Sequence, residues 1–371
     1  MKAMGEYTGI YVLPNTGRFM ALCGKRKGTV TMKVKAVEIA RTLGLSKAAV
    51  SLALNGKPGV SEETRKAVLE CRKRLEDQDP YTVRKKREEQ GILIKLVMAN
   101  RRLSIETQEV DLWTDVKRVF DSMAKAEGYT LGISYFDIDH DSKEDLTKEC
   151  NSELVAGVIL FGTELRPKDS VLFEEIRKPL VVYDSNLHCD RFPGVTVNNR
   201  DGVRKAVQYL VSHQIRDICY LTNSVNMYNM NERREGFQEA LEEYAILDVE
   251  KRIIRFGENI EEIYEDMKRY LKTNPLPQAF IMDSCHVSVS VLRVLREEGI
   301  RIPEDVSLIG IDELPGYAAV GYDLTSVRIP HSERAWWVMT TLFKEMRAPE
   351  RTKVNIEVNC QLIEGKTVKI Q

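Results

Sequence analysis

The side chains best suited to chemistry in this chain are few, and they cluster. Lys47, Ala48, Ser51, Leu52 and Asn55 lie in one short segment, at spacings that put them largely on one face of a helix. They are short or polar enough to enter a DNA major groove, where such side chains meet base edges. Ala48 offers no hydrogen bond, and Leu52 can only touch thymine methyls or exclude a base. Direct readout is therefore expected to rest on Lys47, Ser51 and Asn55. Ser46, Ser61 and Thr64 complete the candidate DNA contacts of this segment. Catalytic patterns are missing by comparison. The five histidines are dispersed without metal-ligand spacing, so no metal site is expected. EGKT at 364–367 lacks the first glycine of a phosphate loop, and Cys360 stands in its place. DIDHDSKED at 137–145 lacks the central Gly and closing Glu of a calcium loop. Neither an enzyme activity nor a cofactor is expected.

The elements that must position those residues can be read locally. Ile39 and Ala40 begin an apolar stripe, Gly44 permits a tight turn, and Val50 and Leu54 resume the stripe at i and i+4. This is helix-turn-helix punctuation. A third helix is expected from Ser61, an N-cap residue followed by Glu62 and Glu63 at the positive end of the dipole, with Val68 and Leu75 facing the core. Pro80 is expected to stop it.

Charge separates this head from the rest. Residues 32–91 hold 14 Lys/Arg against 9 Asp/Glu, a net of +5, and residues 1–31 hold 5 against 1, a net of +4. The whole chain is −1, which leaves −10 for residues 92–371. A basic head on an acidic body suits a nucleic-acid binder that keeps its body off the phosphates. With 371 residues the chain exceeds one average domain, and 43% hydrophobic content is ordinary for a globule. No apolar run approaches a membrane span, no clean export signal opens the chain, and seven scattered cysteines lack C-x-x-C pairs. A cytoplasmic protein without a membrane partner is expected.

At this point a resemblance becomes specific. The run AVEIARTLGLSKAAVSLALNGKPGVSEETR, Ala36 to Arg65, resembles the headpiece of the LacI/GalR family of bacterial transcription regulators. The likeness continues through ILIKLV (92–97), AEGYTL (126–131), VAGVILFG (155–162), KPLVVYD (178–184), RREGFQEAL (233–241), REEGIRIPEDVSLIGIDEL (296–314) and LTSVRIP (324–330). Their order and spacing carry the resemblance over about residues 34–367. Family chains begin a few residues before the helix-turn-helix, and Met32 is placed for that start. Residues 1–31 are therefore expected to be a non-native or disordered extension.

The body alternates strand-like and helix-like stretches. ILIKLVMA (92–99), TLGISYF (130–136), GVILFG (157–162) and LVVYD (180–184) read as buried parallel strands, and ICYLT (218–222), AFIMD (279–283) and SLIGID (307–312) form a second series. Two such series imply an α/β body of two doubly wound lobes with parallel sheets and a cleft between them. The resemblance implies the same, a periplasmic-binding-protein-like body with the effector in the cleft. The expected organisation is a helix-turn-helix domain at 32–78, a hinge at 79–91 and an effector-binding and dimerisation domain at 92–371. Within the body, lobe 1 is expected at about 92–192 plus 325–350, and lobe 2 at about 193–324 plus 351–371.

The resemblance also assigns roles. At the hinge the family wedges an apolar side chain, usually Leu, into the minor groove. Here Arg84 stands where a small Ala is usual, and Arg87 where the Leu is usual. An arginine in a narrow minor groove binds by electrostatics, whereas the charged run RKKREEQ could equally be a solvated linker. In the cleft, Arg233 matches the family arginine that reaches polar ligand atoms, Trp113 the aromatic that stacks on ligands, and Asp312 a strand-end position. Ser284-Cys285 departs from the usual Asn-Asp, and a thiol at Cys285 cannot hold sugar hydroxyls as a carboxylate does. The expected partners are double-stranded operator DNA, a small-molecule effector (a sugar or another polar metabolite) and a second copy of the chain. The competing reading is a small-molecule binding protein whose N-terminal helices serve dimerisation.

Overall fold

A computed structural model describes residues 35–101, 110–314 and 321–370, with the side chains at 80, 81 and 110–113 outside that description. The extension at 1–31, with the question of where translation starts, lies outside the described residues. Two compact units divide at Asp79/Pro80.

The first unit is a three-helix head. Helix α1 (Ala36–Leu43) ends at Gly44, whose φ of 66° turns the chain into the left-handed region, while its N–H bonds the Ala40 carbonyl. Helix α2 (Lys47–Leu54) starts at Ser46, whose hydroxyl accepts from the Ala49 N–H. Helix α3 (Glu62–Gln78) starts at Ser61, which caps the Thr64 N–H. Ile39, Ala40, Val50, Ala53, Val68 and Cys71 form the buried centre. Leu54 and Leu75 pack only at its margin. Arg65 ties α3 back to the end of α2 through the carbonyls of Ala53 and Lys57.

The second unit opens with α4 (Pro80–Gln90), so Pro80 both follows one helix and starts the next. Two six-stranded sheets follow. The first contains β1 (Leu93–Asn100), β2 (Thr130–Asp137), β3 (Val155–Phe161), β4 (Leu180–Tyr183), β5 (Gly194–Asn198) and β11 (Asn355–Asn359), in the order β11-β5-β4-β3-β1-β2 and all parallel. Helices α5 (Val110–Ala126), α6 (Lys143–Cys150) and α11 (His331–Arg347) belong to this lobe. The second sheet contains β6 (Ile218–Asn223), β7 (Ile253–Phe256), β8 (Ala279–Met282), β9 (Ser307–Ile311), β10 (Thr325–Arg328) and β12 (Gln361–Ile363), ordered β12-β10-β9-β8-β6-β7. Only β12, paired with β10, runs antiparallel. Helices α7 (Asn199–Ser212), α8 (Tyr228–Glu243), α9 (Ile260–Thr273) and α10 (Cys285–Glu297) cover it.

Two expectations need correction. The lobe segments were placed to break near 192/193, 324/325 and 350/351, but the chain crosses later in each case. Residues 194–198 pair in the first sheet through Val195 and Ile356, residues 325–328 pair in the second, and residues 355–359 pair in the first. The crossings follow Asn198, Arg328 and Asn359, because each strand completes its own sheet before the chain leaves it. Lobe 1 is thus 92–198 plus 331–359, and lobe 2 is 199–328 plus 361–370. Strand β2 was expected to be buried. It lies at the sheet edge, with Ile133 at 40% and Tyr135 at 58% exposure.

Candidate functional sites in the head and the interlobe cleft

On the head, α2 presents Lys47, Ala48, Ser51 and Asn55 to solvent on one side, while Val50 and Ala53 face the core. Leu52 is half-buried, and its Cδ1 would lie 3.1 Å from a Cβ added at Gly59, so it packs partly on the following loop. The Asn55 amide donates to the Ser51 carbonyl at 2.8 Å, closing the C-terminus of α2. Ser46 and Ser61 are caps, and the Ser61 and Thr64 hydroxyls lie 2.9 Å apart. The Ser46 and Ser61 hydroxyls hold the helix starts, a structural task separate from DNA contact. Lys47 carries the exposed cation of the set.

The two hinge arginines behave differently from one another. Arg84 is exposed and pairs with Glu88 at 2.8 Å along α4. The sequence leaves Arg87 with two expected roles, entry into the minor groove or a place in a solvated linker. In this structure its guanidinium instead sits 4.5 Å over the Tyr129 ring and donates to the Glu127 carbonyl at 3.1 Å, so α4 is docked on lobe 1. Gly128, with φ of 81°, makes that docking possible: a Cβ there would lie 2.5 Å from the Arg84 carbonyl oxygen.

In the body, the chain crossings bring a row of polar residues together at the strand ends. Lobe 1 supplies Arg101 after β1, Glu164 after β3 and Asp184 after β4. Lobe 2 supplies Asn199 at the start of α7, Thr222 on β6, Arg233 on α8, Asp283 and Ser284 after β8 and Asp312 after β9. Most of these charges are already matched. The Arg101 guanidinium donates to Asp169 at 2.8 Å, and its N–H donates to Glu164. Arg334, buried on the first turn of α11, pairs with Asp184 and lies 4.9 Å over the Tyr183 ring. One turn earlier, His331 Nε2 lies 3.0 and 3.1 Å from the two Asp312 oxygens, and the Glu313 N–H donates to Oδ1 at 2.9 Å. Burial alone would raise the Asp312 pKa, but His331, Arg233 and the Glu313 amide hold it below the ordinary value. His331 follows the Arg328–His331 crossing, so this pair joins the root of α11 in lobe 1 to the end of β9 in lobe 2. The Tyr228 N–H, donating to the Thr163 carbonyl at 3.0 Å, is a second contact between the lobes.

Arg233 is buried, with 7% exposure. Its Nε donates to Asn199 Oδ1 at 2.9 Å, Asn199 Nδ2 donates to Asn229 Oδ1 at 2.8 Å, and Arg233 Nη1 donates to the Asp283 carbonyl at 2.6 Å. The Asp283 carboxylate is fully buried, and neither oxygen has a hydrogen-bond partner. Burial pushes its pKa up to about 6. Thr222, Arg233 and Ser284 temper the shift, but the Thr222 hydroxyl is turned to the Asn223 carbonyl and Ser284 to the Val287 N–H. Cys285 is half-buried at the first residue of α10, and His286 beside it has its pKa lowered by burial.

Of the expected cleft residues, Arg233 and Asp312 come to the same strand-end row, and Cys285 lies two residues past Asp283. The Trp113 side chain lies outside the described residues. Sequence reasoning missed Asp283, Asn199, His331 and Arg334. The available signal for Asp283 was its place at the carboxyl end of an apolar strand, AFIMD, where ligands of α/β sheets bind. Thr367, from the discounted EGKT run, is structural: it donates to the Leu308 carbonyl and accepts from the Thr325 N–H. Among the described residues no group of His, Cys, Asp or Glu could hold a metal ion, and no helix is long and apolar enough to cross a membrane.

Comparison with known proteins adds the wider frame. Residues 207–368 match the family model of a periplasmic binding protein-like domain. The HTH-type transcriptional regulator RegA of Clostridium saccharobutylicum is 23% identical over 331 residues, covering 89% of this chain and 98% of the relative. The ribose operon repressor of Halalkalibacterium halodurans is 24% identical, covering 90% and 96%. Among solved structures, the complex of the transcriptional regulator CelR with cellobiose superposes with a TM-score of 0.64 at 20% identity, covering 90% of this chain and 99% of that one. The lac repressor dimer bound to operator and an anti-inducer gives 0.62 at 18% identity, covering 89% and 97%.

Proposed function

We infer that this chain, which belongs to the LacI/GalR family, is a sequence-specific DNA-binding transcription regulator acting as a repressor under the control of a small-molecule effector. The observation that carries this reading is the pairing, in one chain, of two things: a three-helix head whose α2 exposes Lys47, Ser51 and Asn55, and a two-lobed body whose strand ends converge on buried polar groups. Phosphate neutralisation by the basic head supplies affinity, and the exposed face of α2 supplies base contacts. Lys47, Ser51 and Asn55 are the base-reading candidates, with Ser46, Ala48, Leu52, Ser61, Thr64 and Arg84 as supporting contacts. Arg87 would join them only on release from Tyr129.

The protein works as a cytoplasmic homodimer, since each head reads one half-site and a two-fold operator needs two. The open edge of β2, with Ile133 and Tyr135 exposed, supports such pairing. Effector binding changes the balance between lobe arrangements, and so the spacing at which two heads meet DNA. A mobility-shift titration with the full-length protein on the DNA upstream of its own gene tests the reading. Sequence-selective retardation, abolished or strengthened by a metabolite that also raises the protein's melting temperature, is the expected result. A protein that binds the metabolite but retards no DNA selectively would overturn it.

A further inference from the structure

Helix α11 has two faces of different kinds. Ala335, Val338, Met339 and Leu342 point into the core of lobe 1, where the helix packs over β3, β4 and β5. The opposite face carries Glu333, Trp336, Trp337, Thr340, Lys344 and Arg347, spaced three and four residues apart so that they share one side of the helix. An outward helix face is ordinarily polar or charged. Here two indoles lie side by side, at 37% and 39% exposure, their rings edge to face with centroids 4.8 Å apart. The charges that flank them are unused. The Glu333 carboxylate and the Lys344 ammonium are exposed and make no ion pair among the described residues, whereas Arg347 is taken by Glu127 at 3.4 Å.

We propose that this face of α11 is a self-association surface, on which α11 of a second copy lies antiparallel about a two-fold axis. Acid and base stand at opposite ends of the face, so a second copy related by that axis presents its base to the first copy's acid. With the axis midway between Glu333 and Lys344, each Glu333 meets the partner's Lys344, and Trp336 and Trp337 of both copies fall beside the axis. An aromatic centre within a rim of opposite charges is the anatomy of a specific interface, and tryptophan is prominent among the residues that carry binding energy there. A parallel arrangement would set like charges against each other at both ends, so charge selects the orientation. The homodimer argued above uses the β2 edge, which lies outside the strands beneath α11, and both contacts can therefore form in one assembly. The product is a dimer of dimers with two pairs of heads. Once one pair is on DNA, the other meets a nearby second site at a raised local concentration. One helix per copy makes a small contact beside the roughly 1,200–2,000 Å² of stable interfaces, so the association should be weak and concentration-dependent.

Sedimentation velocity of the full-length protein, at total concentrations from low to high micromolar, tests this. Wild type is expected to pass from dimer to tetramer across the range, and a variant combining Trp336→Ser with Trp337→Ser should stay dimeric throughout. Glu333→Lys and Lys344→Glu should each weaken the tetramer about tenfold or more, because each sets like charges across the axis twice. An equimolar mixture of these two variants should recover the tetramer, since every acid again meets a base. Misfolding of either variant could not produce that recovery. A wild type that stays dimeric leaves the face to another occupant and overturns the proposal. A double tryptophan variant that associates like wild type overturns it too, as does a charge mixture that fails to recover. A dimer that the α11 variants dissolve into monomers would support the α11 contact and remove pairing through the β2 edge instead.

Discussion

Single residues on α2 and at the end of β8 make opposite demands on the solvent, and each can be tested by itself. Lys47 is exposed, and its loss should leave the fold intact while weakening operator binding. Lys47→Ala is expected to reduce affinity by about 1–3 kcal/mol and to relax preference at one operator position, measured by titration against a library of single-base variants. Unchanged affinity and preference would remove Lys47 from the recognition set. Asp283 carries a charge out of water instead. Its folded pKa of about 6 stands above the ordinary 3.8, so between those values the native state binds more protons than the unfolded chain. Stability from this group therefore falls as pH rises through that window, and the penalty is complete above about pH 6. The amide that replaces the carboxylate in Asp283→Asn does not titrate. The stability difference between Asp283→Asn and wild type should shift by about 2 kcal/mol in favour of the variant between pH 4 and pH 7.5. Urea unfolding at both pH values reads it, and a pH-independent difference would show that the carboxylate is not held in this state.

Elements are positioned by caps and close approaches that tolerate little substitution. Helix α2 depends on the Ser46 hydroxyl for its first turn, and Ser46→Ala should cost about 1 kcal/mol of head stability. Helix α4 depends on Gly128. Adding a methyl there requires a strained positive φ and displaces the Arg84 carbonyl at 2.5 Å. Gly128→Ala should therefore release α4 and the Arg87 guanidinium from Tyr129. Limited proteolysis should then cut within 80–90 faster than in wild type, and equal rates would mean that α4 is held by other contacts. If Arg87 does serve the minor groove, the same variant should bind operator no more weakly than wild type. The β2 strand shows how element identity and element environment separate. Its strand character is legible in TLGISYF, yet its exposure follows from being the last strand of the sheet.

At the scale of the molecule, a net charge of +5 over residues 32–91, the head together with α4, against −10 over 92–371 favours docking on DNA through the N-terminal part. Repulsion between body and phosphates leaves the head to supply the attraction. Operator affinity should accordingly fall steeply with salt, the slope of log K against log salt being roughly −0.9 per phosphate neutralised. Binding titrations between low and moderate salt measure this, and a flat dependence would contradict phosphate-driven docking. The crossings after Asn198, Arg328 and Asn359 make the body one machine rather than two domains in series. His331 and Arg334, one turn apart on α11, reach Asp312 in lobe 2 and Asp184 in lobe 1, so any change of lobe angle works against that turn.

The features legible along the chain are local or periodic. Gly44 before the turn, Ser46 and Ser61 at helix starts, the stripe through Ile39 and Val50, and the apolar runs of the inner strands all depend on near neighbours along the chain. They could be read because a cap or a buried face is specified within a few residues. The tertiary structure alone decided which strands share a sheet, where the chain crosses between lobes, and which polar groups are left unmatched. Val195 meets Ile356, Arg334 meets Asp184 and Arg233 meets Asn199 across long stretches of sequence, and no local pattern encodes such partners. Asp283 and Asp312 look alike as strand-end aspartates. Only packing gives one of them a histidine and leaves the other buried with nothing to accept from, because burial and pairing belong to the assembled lobe and not to the residue.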